Sequence, residues 1–166
     1  MQIVVTLDEY ELAHAAMAGC QRRIASIMRG RPQVYGAGER KNYWQIDIIG
    51  MMAEYAVAKA FDRHWQPATN QRLADLPGDV AYYQVRSTEH RDGHLFIHPQ
   101  DKDAPYILAI VADRHILLAG WITKKEGSKV GAMESPDTWW VPQSELWSFD
   151  GWPDPVVWSD QVRPKG

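Results

Sequence analysis

The stretch Asp79-Val-Ala-Tyr-Tyr-Gln-Val-Arg-Ser-Thr88 marks the point at which the hydrophobic period of the chain changes from helical to strand-like. Side chains two positions apart on a strand point to the same side of the sheet. Gln84 and Arg86 therefore share one face, and Tyr83 and Val85 share the other. We predict a strand through the second half of this stretch, with Asp79 at its entrance.

The strand pattern continues to about residue 122. Leu95–His98 is predicted to return beside Tyr82–Thr88 as a hairpin, through the Arg-Asp-Gly turn between them. Tyr106–Val111 and His115–Ile122 are strongly apolar, and the Asp-Arg pair that separates them predicts a second hairpin. The sequence thus predicts a sheet built largely from residues that follow Val80.

Two helices are predicted before these strands, after a short strand at Gln2–Val5. In the first helix, Thr6 and Glu9 have the spacing of a capping box. Apolar side chains then recur at steps of four along one predicted face: Leu12, Ala16, Cys20, Ile24 and Met28. The second helix is predicted from Tyr43 to Phe61, with an apolar face of small and branched residues beside Glu54.

Length and composition favour a single α/β (α+β) domain over 1–166, with N-terminal helices on a mixed sheet of about five strands. We place the core at about 43–122 and a Trp- and Pro-rich, irregular extension at 123–166. The chain carries 18 Lys and Arg against 21 Asp and Glu, a net charge of −3, so a case for nucleic-acid binding must be local. The single cysteine excludes an internal disulfide, and no apolar run has a spanning length, so a cytoplasmic protein without a membrane segment is expected.

Four side chains in the middle of the chain have the chemistry of a phosphodiesterase. Asp79 and Glu54 supply carboxylates, and Gln84 supplies an amide oxygen, which are ligands that a hard divalent cation accepts. Such a cation activates a bound water and polarises a phosphoryl oxygen. Arg86, two residues beyond Gln84, would stabilise negative charge that develops on the phosphorus centre.

At these positions the sequence resembles the PD-(D/E)XK nuclease superfamily, whose fold is restriction-endonuclease-like. Glu54 matches the helix glutamate, Asp79 the aspartate at a strand end, Gln84 the second acid and Arg86 the lysine. The stretch 78–122 also looks like small phage and bacterial proteins that carry such a core. The resemblance implies an endonuclease that uses Mg²⁺ or Mn²⁺, with catalytic residues Asp79, Gln84, Arg86 and Glu54 and metal ligands Asp79, Gln84 and Glu54.

Three departures from the superfamily pattern bear on this interpretation. Gln84 removes one negative charge from the metal site, which weakens cation affinity. Arg86 stays protonated, so it acts as an electrostatic clamp and not as a general base. The segment Pro99–Pro105 is too short for the helix that the superfamily places after its third strand. The alternative is a nuclease-like domain that binds nucleic acid or a protein without cutting.

A local basic segment is the candidate DNA contact. Its cations are Arg22, Arg23, Arg29, Arg31, Arg40 and Lys41, which a phosphate backbone would attract. The other interpretation is a solvated helix end, where arginines complement the helix dipole. Cutting both strands of a duplex calls for two sites, so a homodimer is the corresponding assembly.

Tryptophan is abundant near the C-terminus, at Trp139, Trp140, Trp147, Trp152 and Trp158. These rings are suited either to a protein partner or to anchoring an irregular tail onto the sheet. We favour anchoring.

Overall fold

The computed structural model of the protein describes residues 1–30, 42–69, 77–135, 137–150 and Trp152. The elements follow the chain in this order: β1 (Ile3–Thr6), α1 (Glu9–Met28), α2 (Tyr43–Ala60), β2 (Gln84–Thr88), β3 (Leu95–Ile97), β4 (Pro105–Ala112), β5 (His115–Thr123), α3 (Lys124–Val130), β6 (Ala132–Ser135) and β7 (Thr138–Val141). The class is α+β, as predicted.

Two sheets form in the described part of the chain. A four-stranded mixed sheet has the order β1-β5-β4-β2, and a three-stranded sheet has the order β3-β7-β6. The helices α1 and α2 pack on each other, and α2 packs on the four-stranded sheet. One apolar cluster lies between α2 and this sheet, and a second lies between the two sheets.

The predicted hairpin of β2 with β3 is wrong, whereas the predicted hairpin of β4 with β5 is confirmed. β2 pairs with β4 in parallel, and β3 pairs with β7. Nearly every residue of β4 is buried, which is typical of a central strand with a neighbour on each side. The chain between β2 and β4 contains β3 and turns but no helix, so the prediction that Pro99–Pro105 is too short for a helix is confirmed.

The start of α1 lies two residues later than the sequence pattern placed it. Asp8, not Thr6, is the N-cap, and it forms a capping box with Glu11. The predicted apolar face is also wrong at its end, because Ile24 and Met28 are exposed. Helix α1 instead approaches α2 through small residues and through Gly19.

Gly19 sets the distance between α1 and α2. A Cβ atom at this position would lie 2.5 Å from the Cα of Ile48, a contact that only a shift of the helix backbone relieves. We expect Gly19→Ala to lower the free energy of unfolding by about 2 kcal/mol, measured by urea denaturation. Gly50→Ala is the matched control, because its Cβ would meet only the Arg22 side chain at 3.6 Å, and it should be neutral or stabilising.

The C-terminal extension is more regular than the sequence indicated. It contains α3, β6 and β7 before a short 3₁₀ turn at Gln143–Glu145. Thr123 caps α3 by accepting a hydrogen bond from the backbone N–H of Glu126. The sequence did not predict these elements, because a helix of two turns or a strand of four residues is too short to show a clear hydrophobic period.

Candidate functional site

Asp79 lies in a tight turn at the entrance to β2. Its backbone N–H donates to the carbonyl of Tyr83 at 2.8 Å, and its Oδ2 accepts from the backbone N–H of Val85 at 2.8 Å. Gly78 permits this turn, since a Cβ there would lie 2.6 Å from the Tyr83 carbonyl oxygen. The carboxylate of Asp79 is thus fixed at the entrance to an edge strand, with 22% of its side chain exposed.

Glu54 is buried on α2, where it meets a cation and a second carboxylate. Arg22 Nη2 donates to its Oε1 at 2.7 Å. Burial raises the pKa of Glu54 to about 7, Arg22 opposes that rise, and the negative charge of Asp79 adds to it. The pKa of Glu54 therefore depends chiefly on its burial and on its pairing with Arg22.

Arg86 extends from β2 between two aspartates. Its Nη1 is 4.0 Å from Asp79 Oδ2, and its Nη2 donates to Asp101 Oδ2 at 3.0 Å. The guanidinium also lies over the ring of Tyr106, 5.1 Å from the centroid. Arg86 and Asp79 are thus neighbours at the same edge of the sheet.

Gln84 is also buried, but its side chain forms no hydrogen bond with another described residue. The β2–β4 register pairs Gln84 with Tyr106, whose side chain belongs to the cluster between the two sheets. Tyr83, by contrast, packs in the cluster beneath α2, which also holds the neighbours of Glu54. Gln84 and Arg86 consequently share the face away from α2, as their spacing predicted. The structure brings Asp79 Oδ2 to 4.0 Å from Arg86 Nη1, but it places Gln84 on the face of the sheet opposite Glu54.

The donor chemistry fits a hard cation, although it is short of one acid. Glu54, Asp79 and Gln84 offer oxygen atoms only, which Mg²⁺ and Mn²⁺ prefer. No three Asp, Glu, His or Cys side chains in the described ranges group as a metal site. Arg22 Nε, in the guanidinium that contacts Glu54, is a buried donor without a hydrogen-bond partner among the described residues, which suits a bound water or an anionic oxygen.

Two of the six cations of the basic segment, Arg22 and Arg23, are paired with acids of α2. Arg23 is buried, its Nε donates to Asp47 Oδ2 at 2.6 Å, and its guanidinium lies over Tyr43. Arg22 is bound to Glu54, so both arginines connect α1 to α2. Arg29 is exposed at the end of α1, and three other predicted contacts lie outside the described residues: Arg31, Arg40 and Lys41.

Asp101 and Tyr106 were not predicted as parts of this site. The sequence placed Asp101 in a polar connection and Tyr106 in an apolar strand. Their contact with Arg86 depends on the parallel pairing of β2 with β4, which no local period encodes. The only signal in the sequence is the short polar segment directly before an apolar strand.

The tryptophans chiefly anchor the C-terminal extension. Trp152 stacks on Phe61 at 5.2 Å and meets Trp121 edge-on at 4.4 Å, while Trp140 packs against Phe96 at 4.6 Å. Trp147 keeps 41% of its surface exposed, and the predicted anchor Trp158 lies outside the described residues.

Comparison with known proteins gave no match to a family model, a curated protein or a solved structure. In the ranges that the structure describes, no helix combines the length and the apolar character needed to cross a membrane.

Proposed function

We propose that this protein is a metal-dependent phosphodiesterase of the PD-(D/E)XK kind that cuts DNA. The observation that carries the proposal is the position of Asp79, whose Oδ2 is fixed by the Val85 N–H and lies 4.0 Å from the guanidinium of Arg86. A carboxylate beside a fixed cation, with 22% of its side chain exposed, suits phosphodiester hydrolysis assisted by a metal ion.

Each residue has one role in this proposal. Asp79 would hold Mg²⁺ or Mn²⁺ together with Glu54 on the α2 side or with the amide oxygen of Gln84 on the opposite face of the sheet. The ion supplies an activated water and polarises the scissile phosphate. Glu54 must lose its proton to act as a ligand, and its pKa of about 7 makes that step pH-dependent. Arg86 binds a non-bridging phosphate oxygen and stabilises the charge that builds up on it.

The direct test is nicking of a supercoiled plasmid with Mg²⁺ or Mn²⁺, with EDTA as the control. Cleavage that requires the metal supports the proposal, and identical traces with metal and with EDTA would refute it.

Restoring the missing acid gives a sharper probe of the same site. Because a carboxylate attracts a divalent cation more strongly than an amide does, we expect Gln84→Glu, which adds a third carboxylate to Glu54 and Asp79, to tighten Mn²⁺ binding about tenfold. Isothermal titration with Mn²⁺ measures the dissociation constant without any DNA. Gln2→Glu is the control for added charge, since Gln2 is exposed directly before β1, at the opposite edge of the sheet from β2, and it should leave the affinity unchanged.

The second candidate function is binding of nucleic acid or of a protein without cleavage. Two observations favour it: Glu54 is already paired with Arg22, and Gln84 occupies the position of an acid. DNA retention that weakens with salt, in the absence of any cleavage, would support the binding function over the nuclease. No retention at low salt would point to a protein partner.

The proposal includes a cytoplasmic location. It also includes a homodimer, because cutting both strands of a duplex calls for two sites. Analytical ultracentrifugation with and without a short duplex measures the number of protein chains per DNA.

A further inference from the structure

Arg86 is held on one side by a carboxylate that belongs to no predicted motif. Asp101 Oδ2 accepts from Arg86 Nη2 at 3.0 Å, and the Asp101 side chain is only 10% exposed. Arg86 itself is 29% exposed. An arginine side chain has many rotamers, so a buried partner that fixes one of them removes an entropic cost from ligand binding.

Asp101 is itself fixed by the backbone around it. Its Oδ2 also accepts from the backbone N–H of His98 at 2.9 Å, and its own N–H donates to the His98 carbonyl at 3.0 Å. Lys124 Nζ, at the start of α3, donates to the carbonyls of Asp101 at 2.6 Å and of Pro99 at 2.7 Å. The turn 98–101 is therefore held by its own backbone and by Lys124 of α3, independently of Arg86.

Tyr106 completes the support from β4. Its ring lies under the Arg86 guanidinium, and its hydroxyl donates to the carbonyl of Lys102 at 2.7 Å, which attaches the same turn to the strand. Burial and the charge of Asp101 raise the pKa of Tyr106, while Arg86 lowers it, so the phenol remains a neutral donor. Ring and carboxylate together restrict the guanidinium to one plane.

This support leaves part of the guanidinium available. Bonds from Nη2 to Asp101 and from Nη1 to the Val85 carbonyl, at 3.4 Å, use two of the five N–H donors of an arginine. The 4.0 Å between Arg86 Nη1 and Asp79 Oδ2 is too long for a hydrogen bond. The remaining N–H groups have no partner among the described residues, and Nη1 is the nitrogen that lies 4.0 Å from Asp79 Oδ2.

We infer that Asp101 is a positioning residue that orients Arg86 toward a phosphate bound beside Asp79. The inference rests on the proposed function and deepens it, because it assigns the orientation of the clamp to a residue outside the D…QxR motif. Asp101 contacts Arg86 and not the substrate, so its loss affects the chemical step and leaves the metal site intact.

The test compares Asp101→Asn with wild type and with Asp103→Asn, an exposed aspartate two residues away. Asparagine keeps an oxygen for the His98 N–H but loses the charge that holds Arg86. We expect Asp101→Asn to lower kcat for Mn²⁺-dependent plasmid nicking 10- to 100-fold, with the Mn²⁺ dissociation constant unchanged within about twofold. Asp103→Asn should match wild type, and Asp101→Glu should restore part of kcat.

The outcomes separate this inference from the proposed function. A wild-type protein that shows no metal-dependent nicking removes the proposed function, and the inference with it. Wild-type nicking with an unchanged kcat for Asp101→Asn overturns the inference alone. The inference is also overturned if Asp101→Asn loses Mn²⁺ affinity as much as it loses kcat. It is overturned as well if Asp101→Asn lowers the melting temperature and Asp101→Glu restores neither the melting temperature nor kcat. Both results indicate a structural role for Asp101.

Discussion

Asp79→Asn is expected to reduce metal-dependent cleavage by at least about 100-fold, the largest effect of any substitution in this chain. The side-chain oxygen of asparagine still accepts the Val85 N–H that Asp79 Oδ2 accepts at 2.8 Å, so the turn into β2 is retained. The substitution removes the negative charge that raises the pKa of Glu54 and lies near the Arg86 guanidinium. Plasmid nicking at saturating Mn²⁺ measures the change.

Two further measurements show whether the charge, and not the fold, accounts for the loss. Because Asp79 raises the pKa of Glu54, Asp79→Asn should lower that pKa, which carboxyl ¹³C NMR titration reports. Asp92→Asn is the matched control, because Asp92 is an exposed aspartate in the turn after β2, and it should cleave like wild type. Undiminished metal-dependent nicking by Asp79→Asn would exclude Asp79 as a ligand and overturn the proposed active site.

The sequence predicted local features of this site well because they depend on local periods. The alternation of β2 correctly placed Gln84 and Arg86 on one face, and the helical period correctly placed Glu54 on α2. The apolar runs on either side of Asp113 predicted the β4–β5 hairpin for the same reason. Such patterns require only that each element bury one side.

Features that depend on which elements meet could not be read in the same way. Arg22 and Arg23 look like a basic patch, but each is opposed by an acid on α2, 32 and 24 residues away. The partnership of Asp101 with Arg86 arises from a parallel crossover, whereas the Arg-Asp-Gly turn favoured an antiparallel hairpin. Ion pairs between different helices leave no periodic pattern in the sequence. The composition of the segment therefore overstated the exposed positive charge at Arg22 and Arg23.

Glu54 should make the stability of the folded protein decrease as the pH rises from about 4.5 to about 7. Below this window the carboxyl is protonated in both states; within it the folded state keeps a proton that the unfolded state releases. The folded state therefore loses up to about 3 kcal/mol relative to the unfolded state by pH 8. Urea denaturation in EDTA at pH 4.5 and pH 8 measures this loss.

Glu54→Gln separates this effect from the other titrating groups, because it keeps an acceptor for Arg22 Nη2 and has no proton to lose. We expect the variant to lose about 3 kcal/mol less than wild type between the two pH values. Arg22→Met should act in the opposite direction, since Arg22 lowers the pKa of Glu54 and its removal extends the window to higher pH. Parallel pH profiles for wild type and Glu54→Gln would show that the buried carboxyl is ionised throughout, and that its pairing with Arg22 outweighs the cost of burial.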